Sequence, residues 1–225
     1  MRISVFSLGR LLGALCMLSL FASVPVTGLA VPRSSRMMPI VPEDSIAIAA
    51  HDTLPTGEKV ASDAVLLLIS IQEQRLLVAR NGEPVRAYAI STARAGMGAR
   101  ANSGCTPLGW HRVSDWIGGD AVPGQVFVSR KPVGGVIPRS RWSDPASADR
   151  VMTRVLWLDG MEEGINRGPG IDSHSRFIYL HGTNQEHLLG KPASHGCIRL
   201  ANRDVMELYD LTIGHPTYCL ILPKY

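Results

Sequence analysis

The chain has 225 residues, of which 45% are apolar and 19% charged. That length supports one domain of ordinary size with its own core, and those fractions exclude collagen-like, coiled-coil and highly charged disordered chains. The formal charge is +4, half of it supplied by Arg2 and Arg10. With no dense basic stripe and no long run of like charges, nucleic acid is not an expected partner.

Arg2 and Arg10 are the only charged side chains in the first 30 residues. An apolar stretch follows from Leu11 to Val26, broken by Ser19, Ser23 and Pro25, and then the small-x-small triplet Gly28-Leu29-Ala30. This pattern predicts a secretory signal over residues 1–30; the competing reading is an uncleaved membrane anchor. The stretch is short for a spanning helix, which needs about 20 residues. Either way the product is expected to be exported. Cleavage would leave Cys105, Cys197 and Cys219, too few for a disulfide framework and odd in number. At least one thiol in the monomer is then unpaired.

Residues 31–63 carry Pro32, Pro39, Pro42 and Pro55 and read as a flexible tether. The folded domain is expected over residues 64–225. Val65 to Ile71 is a nearly continuous apolar run that fits a buried strand. Arg75 to Arg80 and Pro84 to Thr92 are two further strands, joined by Asn81-Gly82, whose residue types suit the positive φ of a hairpin turn. A Gly-rich loop follows and ends in Thr106-Pro107-Leu108-Gly109, ahead of a strand from Trp110. Residues 118–138 are rich in Gly and Pro and read as an irregular insertion with one short strand at residues 125–129. A helical turn is expected at residues 144–150, then strands at residues 151–158 and 177–181 and a second helical turn at residues 186–189. Asn202 is placed as the cap of a helix with Val205, Leu208, Tyr209 and Leu211 on its apolar face and Gly214 at its stop. The last strand is residues 218–222. The expected architecture is mainly β, a curved sheet or sandwich with one main helix and a long insertion.

The chemistry concentrates in Tyr179-Leu180-His181-Gly182-Thr183-Asn184 and Ser194-His195-Gly196-Cys197-Ile198-Arg199-Leu200. An ordinary thiol with a pKa near 8.5 is only about 3% thiolate at pH 7, so a cysteine nucleophile needs a neighbouring base. His181 ends a strand and enters a Gly turn, where its ring can be held firmly. Cys197 follows Gly196, so a sharp bend can present the sulfur together with backbone N–H groups. Such N–H donors to an oxyanion contribute about 3–4 kcal/mol each in measured cases.

These segments resemble the L,D-transpeptidase catalytic domain (the YkuD-type fold): a His-Gly-Thr-Asn, a loop, then Ser-His-Gly-Cys, an apolar residue and Arg. Ser91-Thr92 and the Thr106-Pro107-Leu108-Gly109 turn fit the same pattern, and the resemblance runs from about residue 64 to residue 222. It implies that Cys197 attacks the third-residue carbonyl of a peptidoglycan stem peptide, that the terminal D-alanine leaves, and that an amine resolves the thioester. The amine would come from a second stem or from a protein such as an outer-membrane lipoprotein. The resemblance makes His181 the general base, oriented by a backbone carbonyl placed at Gly182, with His195 beside the sulfur and Gly196 shaping the bend. Arg199, two residues beyond Cys197, would share its face in an extended segment and could fork onto a substrate carboxylate. Ser194, Thr183 and Asn184 join it as candidate substrate contacts. The family also implies a periplasmic setting, no cofactor, and acylation by carbapenem-type inhibitors.

Other readings stay open from the residues alone. Water instead of an amine would make the enzyme an L,D-carboxypeptidase or amidase, and a silent site would make it a cell-wall-binding module. Zinc on His181, His195 and Cys197 is the weaker alternative, since no Cys-x-x-Cys or His-Glu-x-x-His accompanies them. Cys219 sits in an apolar strand as a filler, and a Cys105–Cys219 disulfide is an open alternative.

Overall fold

Apolar runs and the Asn81-Gly82 turn generate a three-stranded meander: β1 (Val65–Ser70), β2 (Arg75–Arg80) and β3 (Glu83–Ser91). The structure, a computed structural model, describes residues 54–146 and 148–224. The expected signal and most of the tether therefore lie outside the described residues. Asn81 and Gly82 take φ +53° and +77°, as a tight hairpin requires. The chain continues through β4 (Gly109–Ile117), β5 (Gln125–Val128), β6 (Lys131–Val136), β7 (Val151–Gly160), β8 (Tyr179–Gly182), β9 (Ile198–Leu200), the helix α1 (Asn202–Thr212) and β10 (Thr217–Leu222).

The strands lie in the order β4-β10-β1-β2-β3-β9-β8-β7-β5-β6, and β4 also pairs with β7. That extra pairing closes the sheet from β4 round to β7 into a barrel-like sandwich, from which the β5–β6 hairpin projects at the start of β7. The mainly β architecture with one main helix is the one the sequence implies. Inside the ring, Leu67 and Ile69 of β1 meet Leu156, Leu158, Leu180, Ile198 and Leu200 of β7–β9, with Val205 and Leu208 of α1. Side chains alternate along a strand, so Trp157, Tyr179, His181 and Arg199 point the other way, off the outer face of β7–β9. Phe127 of the β5–β6 hairpin packs onto that face with Val155 and Tyr179. The inward half of each strand fixes the wall; the outward half is left for chemistry.

Four local expectations are corrected. The insertion holds a full hairpin, because Ser129 and Arg130 both take positive φ (+48° and +67°) and turn β5 into β6. Strand β6 carries Pro132 and two glycines, poor strand formers that an exposed edge tolerates. Among the described residues no helical turn forms between 144 and 150; the short helical turn comes earlier, at Arg139–Arg141, and an Asp144 carboxylate that accepts from Ala146 N bends the chain. The strand expected from residue 177 starts at Tyr179, because Phe177 turns with φ +58° and donates its N–H to the His174 carbonyl. Asn202 is the first helical residue rather than the cap. The cap position is Ala201, and the Asn202 N–H is taken by Glu186 Oε1 at 2.8 Å. In addition, Leu54 is buried, so the end of the expected tether already packs on the domain.

Candidate active site

Strands β8 and β9 run parallel, with His181 opposite Arg199 and Leu180 opposite Ile198. Cys197 immediately precedes β9, so it shares the outer face with Arg199, beside Tyr179 and diagonal to His181. Diagonal neighbours lie about 7–8 Å apart at Cα, within reach of an imidazole and a thiol that lean together. The two groups share an electrostatic environment, since the charges of Asp149 and Arg199 act on both.

His181 is 2% exposed and its Nδ1 lies 2.8 Å from the Gly182 carbonyl. A carbonyl only accepts, so Nδ1 carries the proton and Nε2 keeps its lone pair. Burial holds the imidazole below its usual value, against the opposing pull of the Gly182 hydrogen bond and Asp149. Gly182 is irreplaceable on steric grounds: a Cβ there would stand 2.5 Å from Asn202 Oδ1 and 2.8 Å from the Met152 carbonyl. Asn202 locks this point of the sheet by donating to the Thr183 carbonyl (2.7 Å) and accepting from the Thr153 hydroxyl.

Cys197 emerges from a bend held at three points. Gly196 takes φ +132°, its N–H donates to Ser194 Oγ at 3.2 Å, and its carbonyl accepts from Thr106 Oγ1 at 2.9 Å. Ser194 Oγ in turn donates to the Cys197 carbonyl at 2.6 Å. The Thr106 of the Thr-Pro-Leu-Gly turn thus reaches across the loop to brace the bend that carries Cys197. The thiol is half-buried and donates to the Phe177 carbonyl at 3.3 Å. Burial pushes it up to about 11, partly offset by a hydrogen bond with the Tyr179 backbone. A neutral thiol beside a neutral imidazole is the resting pair.

The structure brings His181, Gly182, Gly196, Cys197 and Ser194 together. It gives other work to several expected substrate contacts. Arg199 is 1% exposed, with Nη2 on Asp149 at 2.6 Å and Nη1 on Gln185 Oε1 at 3.0 Å, so its fork is already filled by the protein's own carboxylate. Thr183 Oγ1 donates to Asp149 (3.3 Å) and accepts from Gln185 N. Asn184 is buried and clasps the segment ahead of β7, its amide donating to the Ala148 carbonyl and its Oδ1 accepting from Arg150 N, both at 2.9 Å. These three residues fasten residues 148–150, just ahead of β7, to the end of β8. The Gly196 N–H is turned onto Ser194. His195 is exposed at the bend.

Sequence reasoning gave no individual role to Asp149, Phe177, Tyr179 or Arg130. Tyr179 was recoverable from its two-residue spacing from His181; the others come together only through tertiary structure. Cys105, Cys197 and Cys219 are all free thiols, and Cys219 is buried in the core, so no Cys105–Cys219 bridge forms. A cleft of about 580 Å³ opens between the β5–β6 hairpin and the segment leading into β7, lined by Val126, Val133, Ile137, Arg141, Arg150 and Asn184. Neither His181 nor Cys197 lines it.

A buried imidazole and a half-buried thiol on one sheet face, the imidazole oriented by a backbone carbonyl, define a cysteine-centred site. The L,D-transpeptidase catalytic domain family, YkuD, matches residues 64–216, and the chain belongs to that family. No curated protein matches the chain. Among solved structures, LdtMt1, an LD transpeptidase in complex with imipenem, is 19% identical with a TM-score of 0.43, over 71% of this chain and 59% of that one. An L,D-transpeptidase from Mycobacterium smegmatis is 21% identical with a TM-score of 0.41, over 70% of this chain and 58% of the other. L,D-transpeptidase 3 from Mycobacterium tuberculosis is 18% identical with a TM-score of 0.43, over 70% and 60%. This chain thus spans less than two thirds of the length of those proteins. Membership rests on the family match.

Proposed function

We propose that the protein is an exported peptidoglycan L,D-transpeptidase in which Cys197 forms a thioester with a tetrapeptide stem, releases the terminal D-alanine, and passes the acyl group to an amine. The observation that carries the proposal is the 2.8 Å contact between His181 Nδ1 and the Gly182 carbonyl. It fixes the tautomer so that Nε2 is the accepting nitrogen. Rotation about the Cβ–Sγ bond re-aims the thiol proton from the Phe177 carbonyl toward that lone pair. As sulfur attacks the third-residue carbonyl, the proton passes to Nε2. The imidazolium returns it to the departing amine of D-alanine, and the thioester remains. The second amine then attacks, loses its proton to Nε2, and displaces the thiol. The family's inhibitor chemistry follows the same path, a carbapenem acylating Cys197 in place of the stem. Export is supported by the Arg2-to-Ala30 pattern, and a periplasmic or envelope location follows from the substrate; a lipoprotein amine is one candidate acceptor.

The test is to incubate the purified protein with a tetrapeptide stem and an amine acceptor and to follow it by intact-protein and peptide mass spectrometry. The expected result is a tripeptidyl adduct on Cys197, release of D-alanine and a cross-linked product, all lost in Cys197→Ala. A folded protein that forms no adduct with the stem or with a carbapenem overturns the proposal. Tripeptide without cross-link at high acceptor concentration replaces transfer with hydrolysis.

A further inference from the structure

The turn of the β5–β6 hairpin holds a cation against the aromatic cluster that flanks Cys197, and the acyl-transfer steps leave it unused. Ser129 and Arg130 occupy left-handed backbone positions, φ +48° and +67°, with no glycine between them. Such positions cost a non-glycine residue about 1 kcal/mol each, and strain of this kind gathers where a side chain must be aimed. Here the aim is inward. The Arg130 guanidinium carbon stands 4.3 Å from the centre of the Trp157 ring and 5.0 Å from that of Phe177. Its Nη1 donates to the Tyr179 hydroxyl at 3.1 Å. His174 stacks on Trp157 at 3.8 Å and 8°. Two groups that close to one ring centre cannot share a face, so the indole is sandwiched and the guanidinium is held on its other side.

The residues that hold Arg130 are the ones that touch the nucleophile. The Phe177 carbonyl accepts the Cys197 thiol proton, and Tyr179 shares an apolar cluster with Cys197 and Phe127. The guanidinium is thus linked to the surroundings of the sulfur through Phe177 and Tyr179. It differs from its neighbours in what it binds. Arg199 is filled by Asp149 and Gln185, Arg176 by the carbonyls of Gly98 and Cys105, and Arg154 by those of Gly119, Ala121 and Thr153. Among the described residues no carboxylate pairs with Arg130, and Tyr179 takes one of its five N–H donors. A guanidinium stacked on aromatic rings is partly stripped of water, keeps its fork open, and suits a planar carboxylate.

We infer that Arg130 is a specificity-determining residue that binds a free carboxylate of the acyl donor next to the scissile carbonyl. The inference rests on the acyl-transfer reading of Cys197. A stem peptide offers that chemistry from two sources, the side-chain carboxylate of its third residue and the carboxylate of the departing D-amino acid. Either would lie within a residue's length of the carbonyl under attack.

The test measures kcat/KM for the wild type, Arg130→Ala and Arg130→Lys on three tetrapeptides: both carboxylates free, the third-residue side chain amidated, and the C-terminus amidated. In the wild type one amide is expected to lose about 10–100-fold, the size of a charge-assisted hydrogen-bond pair. Which amide it is identifies the carboxylate. Arg130→Ala is expected to lose the same factor on the free peptide and nothing further on that amide, and Arg130→Lys to recover part of the loss. Equal losses by Arg130→Ala on all three peptides would make Arg130 a clasp for the hairpin and overturn the inference, as would no loss on any. A wild type that forms Cys197 adducts at equal rates from all three peptides overturns the inference alone. A wild type that forms none overturns the acyl-transfer reading and this inference with it.

Discussion

Raising the pH should switch on the bare nucleophilicity of Cys197 far later than that of an ordinary thiol. Burial pushes this thiol up to about 11, and the hydrogen bond with the Tyr179 backbone offsets only part of it. At pH 7 about one molecule in 10⁴ then carries a thiolate, against about 3% for an ordinary cysteine. Between pH 7 and pH 10 that fraction grows about 10³-fold. Iodoacetamide reacts with the thiolate alone, so its rate on the Cys197 peptide, followed by mass spectrometry beside glutathione as a reference thiol, should climb nearly tenfold per pH unit without levelling. His181→Ala should leave this profile within about threefold while abolishing acylation by the stem peptide. Turnover should behave differently, because in the proposed mechanism His181 takes the proton during attack. Burial lowers that imidazole, so turnover should hold through neutrality and fall only below the ordinary imidazole value of about 6.5. An alkylation rate that levels off near pH 7–8 would reveal a standing thiolate–imidazolium pair and refute the reasoning.

Three further outcomes follow from the geometry. His111 is fully buried between the Gly109 carbonyl and Ser173 Oγ, and burial lowers it to about 4. The unfolded chain takes up that proton first. Its contribution is therefore intact above pH 6.5 and lost as pH falls toward 4, about 3 kcal/mol in all; denaturant melts at pH 7 and 4.5 should show it, and His111→Gln should flatten the difference. Gly182→Ala should be at least about 2 kcal/mol less stable and inactive, because its Cβ collides with Asn202 Oδ1 and the Met152 carbonyl; near-native melting with normal turnover would contradict this. Asp149→Ala strands the buried Arg199 charge and should cost about 3 kcal/mol, the low end for such pairs because Asp149 keeps some solvent contact. A thermal melt should read it as a drop of about 6–12 °C.

The parts legible in the sequence were those written in short-range code. Continuous apolar strands, Asn81-Gly82 and the Gly214 stop each act within a few residues, and they appear in the structure where the pattern puts them. The His-Gly and Ser-His-Gly-Cys segments were legible for the same reason. What was hidden depends on partners far along the chain. Arg199 looks available until Asp149, 50 residues earlier, arrives on it. Asn202 reads as a cap until Glu186 supplies the cap and the Asn side chain is drawn to Thr183 and Thr153. The β5–β6 hairpin stayed hidden because its turn is Ser-Arg and its second strand holds Pro132, Gly134 and Gly135, residues that argue locally against a strand.

The partner that steers His181 belongs to the peptide backbone, not to an acidic side chain. No codon change can delete a carbonyl oxygen, so this hold on the imidazole is sheltered from direct loss by point mutation. It can be disturbed only by bending the main chain that carries it, and Asn202, Thr153 and Met152 crowd against that spot. Genetic drift that silences such an enzyme should therefore surface as scars in these neighbours, or in the thiol itself, long before any change registers at the oxygen.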